Sequence, residues 1–376
     1  MPFISNNRNS AYEGDVVELV TDLAKDNFKR GQRGTVVAGF DEPSEAFDLE
    51  MEDDSGSFAG FAYSVKPDQF INLSRSAFVR AMEAVERADL VVAERELKTA
   101  TELRPDYIGG FVLSVLNSVT QGNVESTGLE EDVSFVIPLL RMAVRVDPTY
   151  EIARINLAVA FLNFGVAQAR KGDYRQALEL FYSALAIKTD LETESRIKTN
   201  IVMALTALAR EFYRAHQVEE AFASIRAAFL VIQDEITRRN FGIAYGNSGL
   251  LYMKEGRFEM ALQMFERAED SGVVLPDFVN DYGICLVFLG RIREAVRAFE
   301  RVLEMDPPNE IAPINLAKLR HIQRISSDQL SAEKLKALAN EMSVPANDVI
   351  HFDRRIPEVL NWRAPAVSAN EFALVG

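Results

Sequence analysis

The chain has 376 residues, 48% of them hydrophobic and 26% charged, a globular composition with enough apolar material for a large buried surface or more than one domain. Its net charge of −15 at pH 7 argues against a nucleic-acid binder, which needs clustered Lys and Arg to displace counterions from phosphates. No apolar run approaches the ~18 residues needed to cross a bilayer. One cysteine excludes an internal disulfide, and His216, His321 and His351 have no acidic or thiol partners at metal spacing, so neither a metal nor another cofactor is expected. The start, MPFISNNRNSAYEGD, lacks the basic and apolar blocks of a secretory signal; with the lone Cys285 this predicts a reducing, cytoplasmic location.

The first seventy residues read as strands. DVVELV (15–20), GTVVAGF (34–40) and AFDLEME (46–52) are short and rich in β-branched and aromatic residues. Phe47, Leu49 and Met51 alternate with Asp48, Glu50 and Glu52, as one buried and one wet sheet face require. Glycine-containing turns at 29–34 and 53–57 separate the strands, and PDQF (67–70) is a tight turn into a closing strand. Five short strands in about sixty residues predict a small barrel. The sequence E-G-D-V-V-x-L, then K-R-G-x-x-G-T-V-V, then K-P-D-Q-F resembles a small bacterial SH3-like barrel family that includes the barrel of nitrile hydratase β subunits. The resemblance covers residues 11–72 and rests on Gly14, Asp15, Gly31, Gly34, Thr35 and Val36. Residues 1–72 also hold 14 acids against 6 bases, so −8 of the net −15 sits there. Such charge serves solubility, or a basic protein partner.

From about Leu73 the period changes from two to 3.6, and the same helix pair recurs. Ala177, Ala221, Ala261 and Ala295 mark the second helix of four units. Four residues on stand Phe181, Ile225, Phe265 and Phe299, and three further Ala184, Ala228, Ala268 and Val302. Twelve residues before each marker comes a small residue: Gly165, Ala209, Gly249 and Gly283. Two degenerate units precede them, marked by Ala93–Leu97–Ala100–Pro105 and Val136–Leu140–Ala143–Pro148, and Pro307 completes the last. This spacing resembles the tetratricopeptide repeat (TPR), W-x2-L-G-x2-Y, then A-x3-F, then P, over residues 75–325. The fold class that follows is mainly α: a TPR α-solenoid of about six helix pairs plus a capping helix, preceded by a small SH3-like β-barrel. The limits are 1–72 for the barrel, 73–325 for the solenoid and 326–376 for a capping helix and tail. The abrupt change of period predicts that residues 75–376 fold alone.

Marker spacings of 43, 41, 44, 40 and 34 exceed the family length in the middle units, which predicts first helices about two turns longer there. The polar stretch TQGNVESTGLEEDVS (120–134) reads as a loop. SAEKLKALANEM (331–342) reads as a helix whose Leu335, Leu338 and Met342 cap the last apolar surface.

Units of forty-odd residues resemble the scaffold-type repeats of peptide-binding adaptors. In those repeats an Asn one residue before the Leu-Gly pair faces the concave groove, where its amide can both donate to and accept from a peptide backbone. Here that column holds Asn163, Ala207, Asn247 and Asp281, with Asn315 in PINLAKL. Seven residues earlier, on the same helix face, stand Asn156, Asn200 and Asn240. Asn is a mediocre helix former, so its recurrence has a cause: groove ligand, or internal tie between neighbouring helices. Arg154, Lys198 and Arg238 form a possible charged rim, but Glu194–Lys198 and Asp234–Arg238 at i,i+4 and Glu151–Arg154 at i,i+3 favour ordinary surface pairs. No phosphate loop, G-x-S-x-G or H-E-x-x-H motif is present, so an enzyme is not expected. The resemblance implies a protein-binding adaptor that holds a partner's segment in the groove. A peptide-sensing regulator and an accessory subunit of an enzyme complex are the alternatives; partner and oligomeric state are not legible.

Overall fold

The computed structural model describes residues 11–40, 45–120, 129–322, 331–344 and Phe352. Its five strands are β1 Val16–Leu19, β2 Arg33–Phe40, β3 Ala46–Glu52, β4 Phe58–Val65 and β5 Phe70–Asn72. They form one antiparallel sheet in the order β4-β3-β2-β1-β5, a meander whose last strand returns to β1. The alternation predicted for β3 holds: Phe47, Leu49 and Met51 are buried. Register places Leu49 opposite Val36 on one side and Ala62 on the other, and Leu19 opposite Phe70, so these side chains form one core. Gly34 is required where β2 and β3 approach, because a Cβ there would lie 2.7 Å from the Met51 sulfur and 2.8 Å from the Glu50 carbonyl oxygen. The strand that the sequence left unplaced is β4. A short 3₁₀ turn, Pro67–Gln69, leads into β5 as expected from PDQF.

No loop separates sheet from helices. Asn72 ends β5 and caps α1 (Leu73–Glu86), its Oδ1 accepting from Arg75 N at 2.9 Å. The cap is stabilising because it satisfies a helix-end donor that has no intrahelical partner. The remaining helices are α2 Leu90–Leu103, α3 Tyr107–Thr120, α4 Leu129–Val146, α5 Glu151–Lys171, α6 Tyr174–Leu185, α7 Leu191–Arg214, α8 Val218–Val231, α9 Glu235–Lys254, α10 Phe258–Asp270, α11 Pro276–Phe288, α12 Ile292–Met305, α13 Ile311–Ile322 and α14 Ala332–Asn340. The described residues fall into two compact units, one holding the sheet, α1–α4 and most of α5, the other holding most of α7 and all of α8–α14.

Within the second unit, α9 packs on α10 and α11 on α12 as pairs, with α8 against α9, α10 against α11 and α12 against α13. The packing explains the recurring columns. A Cβ on Gly249 would lie 2.9 Å from the Phe265 ring, and one on Gly283 would lie 2.8 Å from the Phe299 ring. α9 and α11 therefore need a residue without a side chain where the aromatic of the partner helix crosses. The four marker alanines and the residues four and seven positions on are all buried, as are Ala93, Leu97, Ala100, Val136, Leu140 and Ala143 in the degenerate units.

The first helices of the middle units run 21, 20 and 24 residues in α5, α9 and α7, against 13 in α11, which accounts for the long spacings. Two expectations change. Residues 129–134 belong to α4 and not to a loop, since acidic residues are as much at home in the first turn of a helix, where the dipole favours them, as in a turn; residues 121–128 lie outside the described residues. Among the described residues one helix, α5, is also long and apolar enough to cross a membrane, with hydropathy 1.3 over a window 78% buried inside the protein. That burial is the pattern of a core helix.

Candidate functional site

Two polar clusters stand out against this apolar packing. The first ties the sheet to the helices. Asp15 is fully buried, and its carboxylate accepts four hydrogen bonds: Arg104 Nη1 at 2.8 Å and the Tyr107 hydroxyl at 3.1 Å on Oδ1, Asn72 Nδ2 at 2.7 Å and Tyr12 N at 2.9 Å on Oδ2. Burial alone would lower the Arg104 pKa, but the hydrogen bond and charge of Asp15 outweigh it and hold the guanidinium above its ordinary value. Burial first, then the Asp15 charge, pushes the Tyr107 hydroxyl up, so it stays a donor. Beside this cluster, Val16 N donates to Ser74 Oγ at 2.9 Å.

The second cluster lies at α11 and α13. Asn315 is fully buried, and both functions of its amide are engaged by the main chain of Ser343, just beyond α14. Nδ2 donates to Ser343 O at 2.9 Å, and Oδ1 accepts from Ser343 N at 2.8 Å. Asn280 on α11 accepts from Asn315 Nδ2 at 3.0 Å and donates to the same Ser343 carbonyl at 3.4 Å. Lys318, one turn along α13, donates to the Glu341 carbonyl. Further contacts hold the segment: α14 packs on α11, Ala339 and Met342 are buried in the apolar core, and the Phe352 ring lies 5.9 Å from that of Tyr213 on α7. The main chain at Ser343 is thus gripped by side-chain amides, a pattern indifferent to the sequence being held.

Apart from Asp281, the remaining site residues lie on α5, α7 and α9. Asn156 and Asn200 are fully buried, and their Nδ2 atoms donate to Ile152 O at 2.9 Å and Arg196 O at 3.0 Å. Each amide thus donates to the carbonyl one turn back within its own helix. Asn240 and Asn247 are also buried, whereas Asn163 is half-buried. In the rim, Lys198 pairs with Glu194 at 2.5 Å, Arg154 Nη1 donates to Pro148 O at 2.6 Å and Arg238 is exposed. Cys285 is buried and burial pushes its thiol up, which suits packing and not nucleophilic chemistry. Asn280 was missed because it stands one position before the Asp281 column. Its separation from Asn315 is 35 residues, one more than the 34 that relate Asp281 to Asn315, so the repeat period passes over it.

Asp281, next to it, is buried, and its Oδ1 has no hydrogen-bond partner. Burial and then the nearby Asp277 push its carboxyl up to about 7, against the opposing effects of the Asn280 hydrogen bond and Lys254. The native state therefore binds a proton more tightly than the unfolded chain, whose value is 3.8. Stability falls as pH rises between these two values and is unaffected by this group below both. Asp281→Asn is expected to stabilise the protein by ~2–4 kcal/mol above about pH 8 and to have little effect near about pH 4, read from urea midpoints at the two pH values. An equal effect at both would remove the buried charge as the cause.

These features define a helix-pair repeat protein with a β domain joined to its first helices. The chain carries tetratricopeptide repeats: the tetratricopeptide repeat model matches residues 243–271 and 278–309, which span α9 through α12. A domain of unknown function, DUF4926, matches residues 13–71, the five-stranded sheet. Comparison with curated proteins gives no match. Among solved structures the chain is similar to MamA AMB-1, at 17% identity over 50% of this chain and 94% of that one, TM-score 0.30. It is similar to YrrB, a TPR protein with an unusual peptide-binding site, at 17% identity over 58% and 96%, TM-score 0.28. It is also similar to pilF of Pseudomonas aeruginosa, at 11% identity over 66% and 97%, TM-score 0.28. The repeat assignment rests on the family model and the packing columns.

Proposed function

We propose that the chain is a non-enzymatic, cytoplasmic scaffold whose C-terminal repeats hold an extended segment of a partner protein on α11 and α13. The observation that supports this is the double hydrogen bond between the Asn315 amide and the Ser343 main chain, reinforced by Asn280. Those bonds would serve any extended backbone equally well. Asn163, half-buried in its helix, and Asp281, beside Asn280, are the remaining site residues we assign to the same role. Asn156, Asn200, Asn240 and Asn247, all buried, belong to the same proposed columns, as groove ligands or as ties between neighbouring helices. The SH3-like character of residues 1–72, and the limits 73–325 and 326–376 for repeats and tail, belong to the same proposal; the strand order β4-β3-β2-β1-β5 favours it.

The test is a titration of a partner recovered from native lysate against full-length protein and Asn280→Ala/Asn315→Ala. Two or three net hydrogen bonds correspond to a ~10–100-fold loss of affinity. Equal affinity in a well-folded double variant would take the amides out of the binding surface. A second reading, a regulator that senses a peptide, is favoured by one observation: the chain's own Ser343 occupies the amides, so an incoming segment must displace it. Binding should then increase proteolytic cleavage near residues 341–344.

A further inference from the structure

We propose that the outer face of β3 and β4 docks an arginine-rich extended segment of a second protein. On β4, Phe58, Phe61 and Tyr63 are 60%, 42% and 54% exposed. Their rings form a ladder, with centroids 5.3 Å apart between Phe58 and Phe61 and 6.1 Å between Phe61 and Tyr63. Cross-strand partners share a sheet face, and the register sets Glu52 opposite Phe58 and Glu50 opposite Phe61. Asp48 holds the end of the ladder, accepting from Ser64 N at 2.9 Å. Carboxylates thus flank exposed rings along the whole strand.

β4 is also an edge strand, bonded only to β3 among the described residues. Natural edge strands are protected by charged side chains, Pro or bulges; FAGFAYSV has no charge and no Pro, and register shifts against β3 are what blunt it. An exposed aromatic row on an open edge is the arrangement that strand addition uses: main-chain bonds for affinity and alternate side chains for specificity.

Charge selects the occupant. The first 72 residues hold 14 acids and 6 bases, and the whole chain carries −15. A second copy, a nucleic acid and an anionic lipid surface would all be repelled. A cationic segment is attracted, and Arg suits the face better than Lys. Its planar guanidinium stacks on ring faces and forks onto carboxylates, while the compact ammonium is held by its own hydration.

The experiment titrates full-length protein with labelled octa-arginine and octa-lysine peptides, comparing wild type with Phe61→Ser/Tyr63→Ser, which leaves net charge unchanged. Octa-arginine should bind more tightly than octa-lysine, and the double variant should weaken it by at least about tenfold with the far-UV spectrum and thermal midpoint retained. Glu50→Gln/Glu52→Gln, also at the face, should weaken it as well and flatten its salt dependence. Equal binding of the two peptides, undiminished in Phe61→Ser/Tyr63→Ser, would reduce the effect to diffuse acidity and overturn the proposal. Sedimentation showing a wild-type dimer that the double variant loses would overturn it too, making a second copy the occupant.

Discussion

Asp15→Ala is expected to lower the unfolding free energy by ~3–5 kcal/mol, the range for stranding one partner of a buried ion pair. The carboxylate leaves behind a buried Arg104 guanidinium, and the Tyr107 hydroxyl and Asn72 amide each lose an acceptor. Asp15→Asn should be milder, because one acceptor oxygen survives while the countercharge does not. Replacing both Asp15 and Arg104 by apolar residues should recover much of the loss, since a buried pair contributes little relative to good apolar packing. Urea unfolding gives the magnitude, and hydrogen exchange locates it: protection should drop together in β1, β5 and α1. The change of period near residue 73 argues instead for modules that fold separately. If they do, Asp15→Ala would loosen the strands alone, and residues 75–376 would unfold at the midpoint of the whole chain. The network predicts a lower midpoint for that fragment, whose Tyr107 would lose the carboxylate and whose Arg104 would keep only the longer 3.6 Å pair with the exposed Asp106.

The repeats are legible because stacking imposes the same demand at every unit: Gly249 must accommodate Phe265 as Gly283 accommodates Phe299. A demand repeated along the chain leaves a period, and a period can be read. The long α5, α7 and α9 are legible for the same reason, since their apolar rhythm continues past the usual stop. Asp15 leaves no such trace. Its partners Asn72, Arg104 and Tyr107 lie 57, 89 and 92 residues away, and the E-G-D-V-V stretch that marks Asp15 in the sequence names none of them. Asn280 is hidden differently, standing one place off a column whose other members made the pattern. The acids before Val133 mislead because a loop and a helix start favour the same residues. β4 escapes because Gly60 interrupts it and its aromatic face is exposed, so neither alternation nor burial marks it.

Phe265→Ala should cost ~3–5 kcal/mol, the range for deleting a buried aromatic. Phe265 is 4% exposed, fills the space over Gly249 and lies 6.0 Å from the ring of Phe278. Phe278 in turn occupies the space above Gly246, where a Cβ would lie 2.0 Å from its ring, so the two aromatics interlock α9, α10 and α11. Neighbours fixed in this way cannot collapse into the cavity, which places the loss toward the upper end of the range. Gly249→Ala tests the same contact from the other side. Its methyl would meet the Phe265 ring at 2.9 Å and the Ala261 carbonyl oxygen at 3.1 Å, an overpacking that costs ~1–3 kcal/mol. The two changes should not add. With the ring removed, the methyl enters the vacated space, and Gly249→Ala should become neutral or stabilising in the Phe265→Ala background. Strict additivity, or a loss below ~1 kcal/mol for Phe265→Ala alone, would mean that the small residue and the aromatic of each unit do not meet, and that the repeat register is wrong.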